Sequence, residues 1–154
     1  MKLDDADIKL LSILQEDVSR TVQDLAKMVG LSLNACWRRI KHYDERGIIK
    51  RRVALLDPDA LGLSTTVFVS VRTAEHSDEW LAQFSEAVRS IPEAVEFYRM
   101  AGDVDYLIKL RVADIAAYDR VYKKLIAKIR LADVSAAFAM EEIKHTTTLP
   151  LPGA

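Results

Sequence analysis

The chain has 154 residues, half of them hydrophobic and 29% charged, which suits one globular domain or two small ones and excludes a disordered chain. Its net charge of −1 is uneven: residues 1–56 hold eleven Lys/Arg against eight Asp/Glu, residues 57–154 eleven against fifteen, and residues 31–56 seven against two. Positive charge therefore gathers in one short stretch, and a polyanion binder along the whole chain is excluded. The single cysteine, Cys36, precludes an internal disulfide and any Cys-based zinc cluster within one chain. No apolar run reaches membrane-spanning length, and acids occupy the start where a signal peptide needs an apolar core. A cytoplasmic protein with no membrane partner is expected.

Leu3, Ile8, Leu11 and Leu14 recur near helical spacing, and Asp4, Asp5 and Asp7 suit the positive end of that helix. A second helix from about Thr21 carries Val22, Leu25 and Val29 and stops at Gly30. Ser32 is the expected N-cap of a third helix, in which Cys36, Ile40 and Tyr43 make a buried stripe. Asn34, Arg38, Lys41 and Glu45 fall on a different face, with Leu33 and Trp37 beside them. Gly47 ends the helix, and Lys50, Arg51 and Arg52 begin a strand that continues through Leu56.

Helix, helix, turn, basic helix and basic strand form a winged helix-turn-helix over residues 1–56, able to enter the major groove of double-stranded DNA. Candidate contacts are Ser32, Asn34, Trp37, Arg38, Arg39, Lys41 and His42 from the third helix, and Lys50, Arg51 and Arg52 from the wing. Arg38 or Lys41 can donate to guanine and Asn34 can pair with adenine, while the remaining cations meet phosphate. Trp37 either packs against the first helix or touches DNA. The plain alternative for the whole face is a solvated one.

Asp57-Pro58-Asp59-Ala60-Leu61-Gly62 breaks the wing strand, and residues 57–63 are read as a hinge. From residue 64 to 154 a second pattern follows. A strand over Thr66–Arg72 alternates with Val67, Val69 and Val71 on one side, and a helix capped by Ser77 or Asp78 ends before Pro92. Strands over 94–100 and 105–112 flank Ala101-Gly102-Asp103, Asp114 caps a second helix, and a last strand runs from about Val134 to Ile143. This βαββαβ order predicts an α+β, ferredoxin-like domain with both helices on one face of a four-stranded antiparallel sheet. Val, Phe and Ala on the other face predict that two such sheets pack together in a homodimer.

Two other classes stay open from the residues alone. One is a ferredoxin-like small-molecule-binding protein that never engages DNA; the other is an enzyme to which the N-terminal module is only a tether. His42, His76 and His145 are scattered, and no metal-ligand cluster, phosphate-binding Gly-rich loop or nucleophile–base motif is present. No catalytic residue, metal or cofactor is therefore expected.

The motifs resemble the Lrp/AsnC (feast/famine) family of transcriptional regulators. Those that carry the likeness are Leu3-Asp4-x-x-Asp7, Leu25-Ala26-x-x-Val29-Gly30-Leu31-Ser32, Cys36-x-x-Arg39-Ile40 and Gly47-Ile48-Ile49. Ala54-Leu55-Leu56-Asp57-Pro58, Ala101-Gly102-Asp103-x-Asp105-Tyr106-Leu107 and Met140-Glu141-Glu142-Ile143-Lys144 follow in order. The resemblance implies a ligand-binding (RAM-type) second domain, dimers assembling to octamers or similar rings, and an amino acid bound between neighbouring dimers. The implied effector residues are Arg99, Met100, Ala101, Gly102, Asp103, Asp105, Ala136, Ala137 and Phe138. Backbone N–H groups of the Gly102 loop would hold a carboxylate, and Asp103 or Asp105 the α-ammonium. The segments 97–102 and 138–147 are similar to a cysteine-responsive sub-branch, which makes cysteine the leading effector. Ala136 and Ala137 stand where many members carry polar or aromatic residues, and favour a small or apolar effector side chain.

Overall fold

The computed structural model describes residues 3–129 and 131–152. The chain divides into two compact units, one of residues up to 54 together with those from 144 onward, the other of residues 55–143.

The first unit is built on α1 (Asp5–Glu16), α2 (Val22–Val29) and α3 (Leu33–Glu45). Each helix starts on a side-chain cap. Asp4 and Asp7 form a reciprocal box (2.8 and 3.1 Å), Thr21 accepts from the Asp24 N–H, and Ser32 accepts from the Ala35 N–H at 3.2 Å. Gly30 closes α2 with φ +76°, a left-handed conformation that a side chain would strain. Leu10, Leu11, Leu25, Ala26, Cys36 and Tyr43 bury their side chains together, which gives α3 the buried stripe its spacing predicts. The C-terminal tail belongs to this unit. The Gln15 amide donates to the Leu149 carbonyl (3.3 Å) and accepts from its N–H (2.7 Å), as a neighbouring strand would, and Leu151 packs on the helical core.

The second unit contains β1 (Thr65–Arg72), α4 (Asp78–Arg89), β2 (Ala94–Arg99), β3 (Tyr106–Val112), α5 (Ile115–Lys128) and β4 (Asp133–Phe138). The four strands are antiparallel in the order β2-β3-β1-β4. Val67, Val69 and Val71 of β1 stand opposite Leu110, Ile108 and Tyr106 of β3, so these six share one face. They form one core with Trp80, Phe84 and Val88 of α4 and Val121 and Leu125 of α5. Phe84 meets Tyr106 and Phe97 edge-on (5.1 and 5.3 Å) and locks α4 onto the sheet. The other face carries Phe68, Leu107 and Ala137 beside the Lys109–Glu96 ion pair of 3.1 Å.

Two expectations are corrected. Residues 50–57 are exposed and in no strand, so the basic wing strand is not formed within the chain. A strand needs a neighbour for its backbone N–H and C=O groups, and no described segment supplies one there. The last strand ends at Phe138 rather than near Ile143. It pairs with β1, which begins at Thr65, and once the Ala139 N–H has donated to the Thr66 carbonyl only Thr65 of β1 is left, too little to carry the strand on to Ile143.

Candidate DNA interface and effector site

Along α3 the residues sort by their partners. The side chains of Asn34 and Arg38 are exposed and make no hydrogen bond or ion pair among the described residues. Lys41 is exposed, stands 5.2 Å from the centre of the Trp37 ring and lies 3.7 Å from Glu45, a pair of little strength in solvent. Trp37 is 52% and Leu33 54% exposed, so Trp37 does not pack away against the first helix. Ser32 spends its hydroxyl on the cap, and His42 is half-buried. Lys50 and Arg51 are exposed, whereas Arg52 is held by Asp44 of α3 at 3.0 Å.

Arg39 differs from the other cations. Its guanidinium spans the two acids of the α1 cap, reaching Asp4 at 2.8 and 2.9 Å and also Asp7. Asp7 in turn accepts from the buried Tyr43 hydroxyl at 2.6 Å. Burial alone would raise the Asp7 pKa. The Tyr43 hydroxyl, the Asp4 N–H and Arg39 outweigh it and hold the carboxyl below its ordinary value. Burial and the Asp7 carboxylate push the Tyr43 hydroxyl the other way, well above its ordinary value, and the two carboxylates raise Arg39. Arg39 thus ties α3 to the start of α1, a role that counting charges along one helix does not disclose. The clue was Tyr43 itself, since a buried Tyr hydroxyl needs a partner.

In the second unit the candidate effector residues fall into two groups. Residues 100–105 form a closed loop: the Met100 N–H donates to the Asp105 carbonyl (2.8 Å) and the Asp105 N–H to the Val71 carbonyl (3.0 Å). The Arg72 Nε donates to the Asp103 carbonyl (2.7 Å), and the Asp105 carboxylate accepts from the Thr73 N–H (2.8 Å). Sequence reasoning missed both Arg72 and Thr73. Gly102, at φ +136°, permits the turn, and the N–H groups of residues 101–104 donate to no acceptor among the described residues. Arg99, Met100 and Asp103 are exposed at the loop.

The second group is Ala136, Ala137 and Phe138. They pair with Val69, Phe68 and Val67, while the loop sits at the Val71 end of the same strand. Ala136 and Phe138 share the helix-covered side, where Phe138 meets Tyr118 edge-on at 5.3 Å, and Ala137 faces the other way. Four residue steps from Val67 to Val71 amount to about 13 Å, so Phe138 stands well apart from the loop within one chain. Among the described residues no group of three or more His, Cys, Asp or Glu is placed to hold a metal ion, and no helix is long and apolar enough to cross a membrane.

Comparison with known proteins gives this arrangement its family. Residues 3–43 match the AsnC-type helix-turn-helix domain, and residues 66–149 match the Lrp/AsnC ligand binding domain. The chain belongs to the Lrp/AsnC family. It is 58% identical over 151 residues to the glutamate uptake regulatory protein of Zymomonas mobilis, an alignment covering 98% of this chain and 92% of that one. The crystal structure of an AsnC family transcriptional regulator from Agrobacterium tumefaciens superposes with TM-score 0.93 at 62% identity, covering 96% of this chain and 97% of that chain. A Neisseria meningitidis transcriptional regulator in complex with L-Met gives TM-score 0.91 at 33% identity, covering 97% of each. As an Lrp/AsnC protein the chain is a DNA-binding transcriptional regulator that responds to an amino acid. Its first unit carries the family's helix-turn-helix, and its second the family's ligand-binding fold.

Proposed function

We propose that this Lrp/AsnC regulator reads its operator with Asn34, Arg38 and Lys41, helped by Ser32, Trp37 and His42, while Lys50, Arg51 and Arg52 hold the flanking phosphates. The observation that carries this is the exposed α3 face, where Asn34 and Arg38 have no partner among the described residues and keep all their hydrogen-bonding capacity for base edges. Arg39 contributes by holding α3 in place rather than by contact. Residues 57–63 act as a hinge between the reading head and the effector domain, and the protein works in the cytoplasm by binding alone, with no reaction of its own.

The working form is a homodimer that assembles to an octamer or similar ring. Val53, Leu55 and Leu56 are more than half exposed in a segment without strand partners among the described residues, which a second copy would cover. A palindromic pair of reading heads also suits groove recognition by paired half-sites. The effector is held by the loop of one copy, from Arg99 and Met100 through Ala101, Gly102 and Asp103 to Asp105, and by Ala136, Ala137 and Phe138 of a neighbouring one. The unbonded N–H groups of residues 101–104 take its carboxylate and the exposed Asp103 its ammonium. Asp105, already bonded to Thr73, braces the loop.

Cysteine fits the small Ala136–Ala137 wall better than glutamate, named in the Zymomonas relative, or the L-Met of the Neisseria complex. Titration calorimetry with each of the twenty amino acids is expected to give the largest heat with cysteine. A larger heat with glutamate or methionine would transfer the assignment, and no heat with any would remove it.

Salt dependence tests the DNA reading. With five or more cations near phosphate, affinity for a duplex selected by the protein is expected to fall about 10²- to 10³-fold between 50 and 200 mM salt. A flat profile would return the chain to the small-molecule-binding alternative.

A further inference from the structure

Leu33 and Trp37 stand one helical turn apart on α3 and are each about half exposed (54% and 52%), beside the Asn34–Arg38 face. The helix that carries them lies in the stretch where basic residues outnumber acidic ones seven to two. Lys41 holds its ammonium 5.2 Å from the Trp37 ring centre, so the apolar pair sits inside a positive field. An ordinary apolar protein surface would gain nothing from that field. A partner matching both features must be anionic overall and still present small apolar groups at the depth a helix reaches. In the major groove only the 5-methyl of thymine meets that description, and RNA lacks it.

We propose that Leu33 and Trp37 read thymine methyl groups in each operator half-site, adding a specificity term to the polar contacts of Asn34 and Arg38. The inference rests on the DNA-binding reading above and names the base that reading leaves open. Lys41 rests over the indole, so the ring fixes its reach toward the base edges beside those methyl groups. Because both apolar side chains are exposed in the isolated chain, their loss changes recognition without opening the core.

The test uses the full-length protein and a duplex selected by it from a random library, remade with each dT replaced in turn by dU, which removes only the methyl. At one or two positions per half-site the replacement is expected to weaken binding about three- to fivefold, the ratio set by one buried methyl group. Leu33→Ala and Trp37→Ala should bind the dT duplex more weakly and lose the dU penalty at their own positions, while Trp37→Phe should keep most of it. Indifference to dU at every position overturns the proposal, as does a penalty that persists unchanged in both alanine variants. Variants that keep full affinity for DNA yet shift the oligomeric state would instead assign the pair to a second copy of the chain, and also overturn it. Failure to enrich any sequence would sink the regulator reading itself, a different outcome from a selected duplex insensitive to methyl loss.

Discussion

Asp7→Asn is expected to destabilise the helix-turn-helix unit by about 2–4 kcal/mol, somewhat less than the loss of a fully buried ion-pair partner because Arg39 is partly exposed. The Asp7 side chain is 13% exposed and serves three donors: the Tyr43 hydroxyl, the Arg39 guanidinium and the Asp4 N–H. An amide keeps the shape but turns an NH₂ toward one of those donors and withdraws the charge that balances Arg39. Asp4→Asn, at a side chain 56% exposed, should cost well under half as much. Cys36 gives a direct reading of this unit because it is the single cysteine and fully buried. Its labelling by a thiol reagent, limited by opening of the unit, should accelerate roughly 30- to 700-fold in Asp7→Asn, at 1.4 kcal/mol per tenfold. An unchanged rate would mean that the network contributes nothing to holding α3.

The same group sets an acid dependence. Asp7 lies below its ordinary pKa of 3.8 in the folded protein, so the unfolded chain binds the proton first as pH falls. The stability it contributes is present above about pH 4 and lost as pH drops through the folded value. Asp7→Asn should flatten that part of the acid limb. Tyr43 contributes in the opposite sense, its share being lost only as pH rises above 10.

How far the sequence discloses such features depends on whether the cause is local. The α2 stop at Gly30, the caps of Ser32 and Asp114 and the alternation of Val67, Val69 and Val71 are set by neighbours in the chain, and the structure places them as periodicity predicts. The failures all involve distant partners. Arg39 looks like one more cation of a basic face until Asp4 and Asp7, more than thirty residues away, close on it. Met140–Ile143 reads as strand, but β1 has already ended. Lys50–Leu56 has the composition of a strand and lacks a neighbouring strand among the described residues. For the proposed effector residues, only the β1–β4 register places Phe138 and the Gly102 loop toward opposite ends of a strand. That separation is why the proposed site needs a second copy.

Arg38→Ala is expected to lower affinity for a selected operator about 5- to 150-fold, the ~1–3 kcal/mol of a good bidentate base contact, with a much smaller effect on random duplex. Its side chain is exposed and unbonded among the described residues, so its removal leaves the core and the Asp7 network intact, and Cys36 labelling should not change. Arg39→Ala makes the contrast. It should weaken specific and random binding alike and accelerate Cys36 labelling, because it loosens α3 as a whole. Lys50→Ala and Arg51→Ala should each weaken binding to all sequences and reduce the salt slope by about one. If Arg38→Ala loses selected and random DNA equally, Arg38 is a phosphate contact, and base reading must fall to Asn34 and Lys41. Equal phenotypes for Arg38→Ala and Arg39→Ala, labelling included, would mean that the two arginines do one job and that the division of α3 into a reading face and a bracing face is wrong.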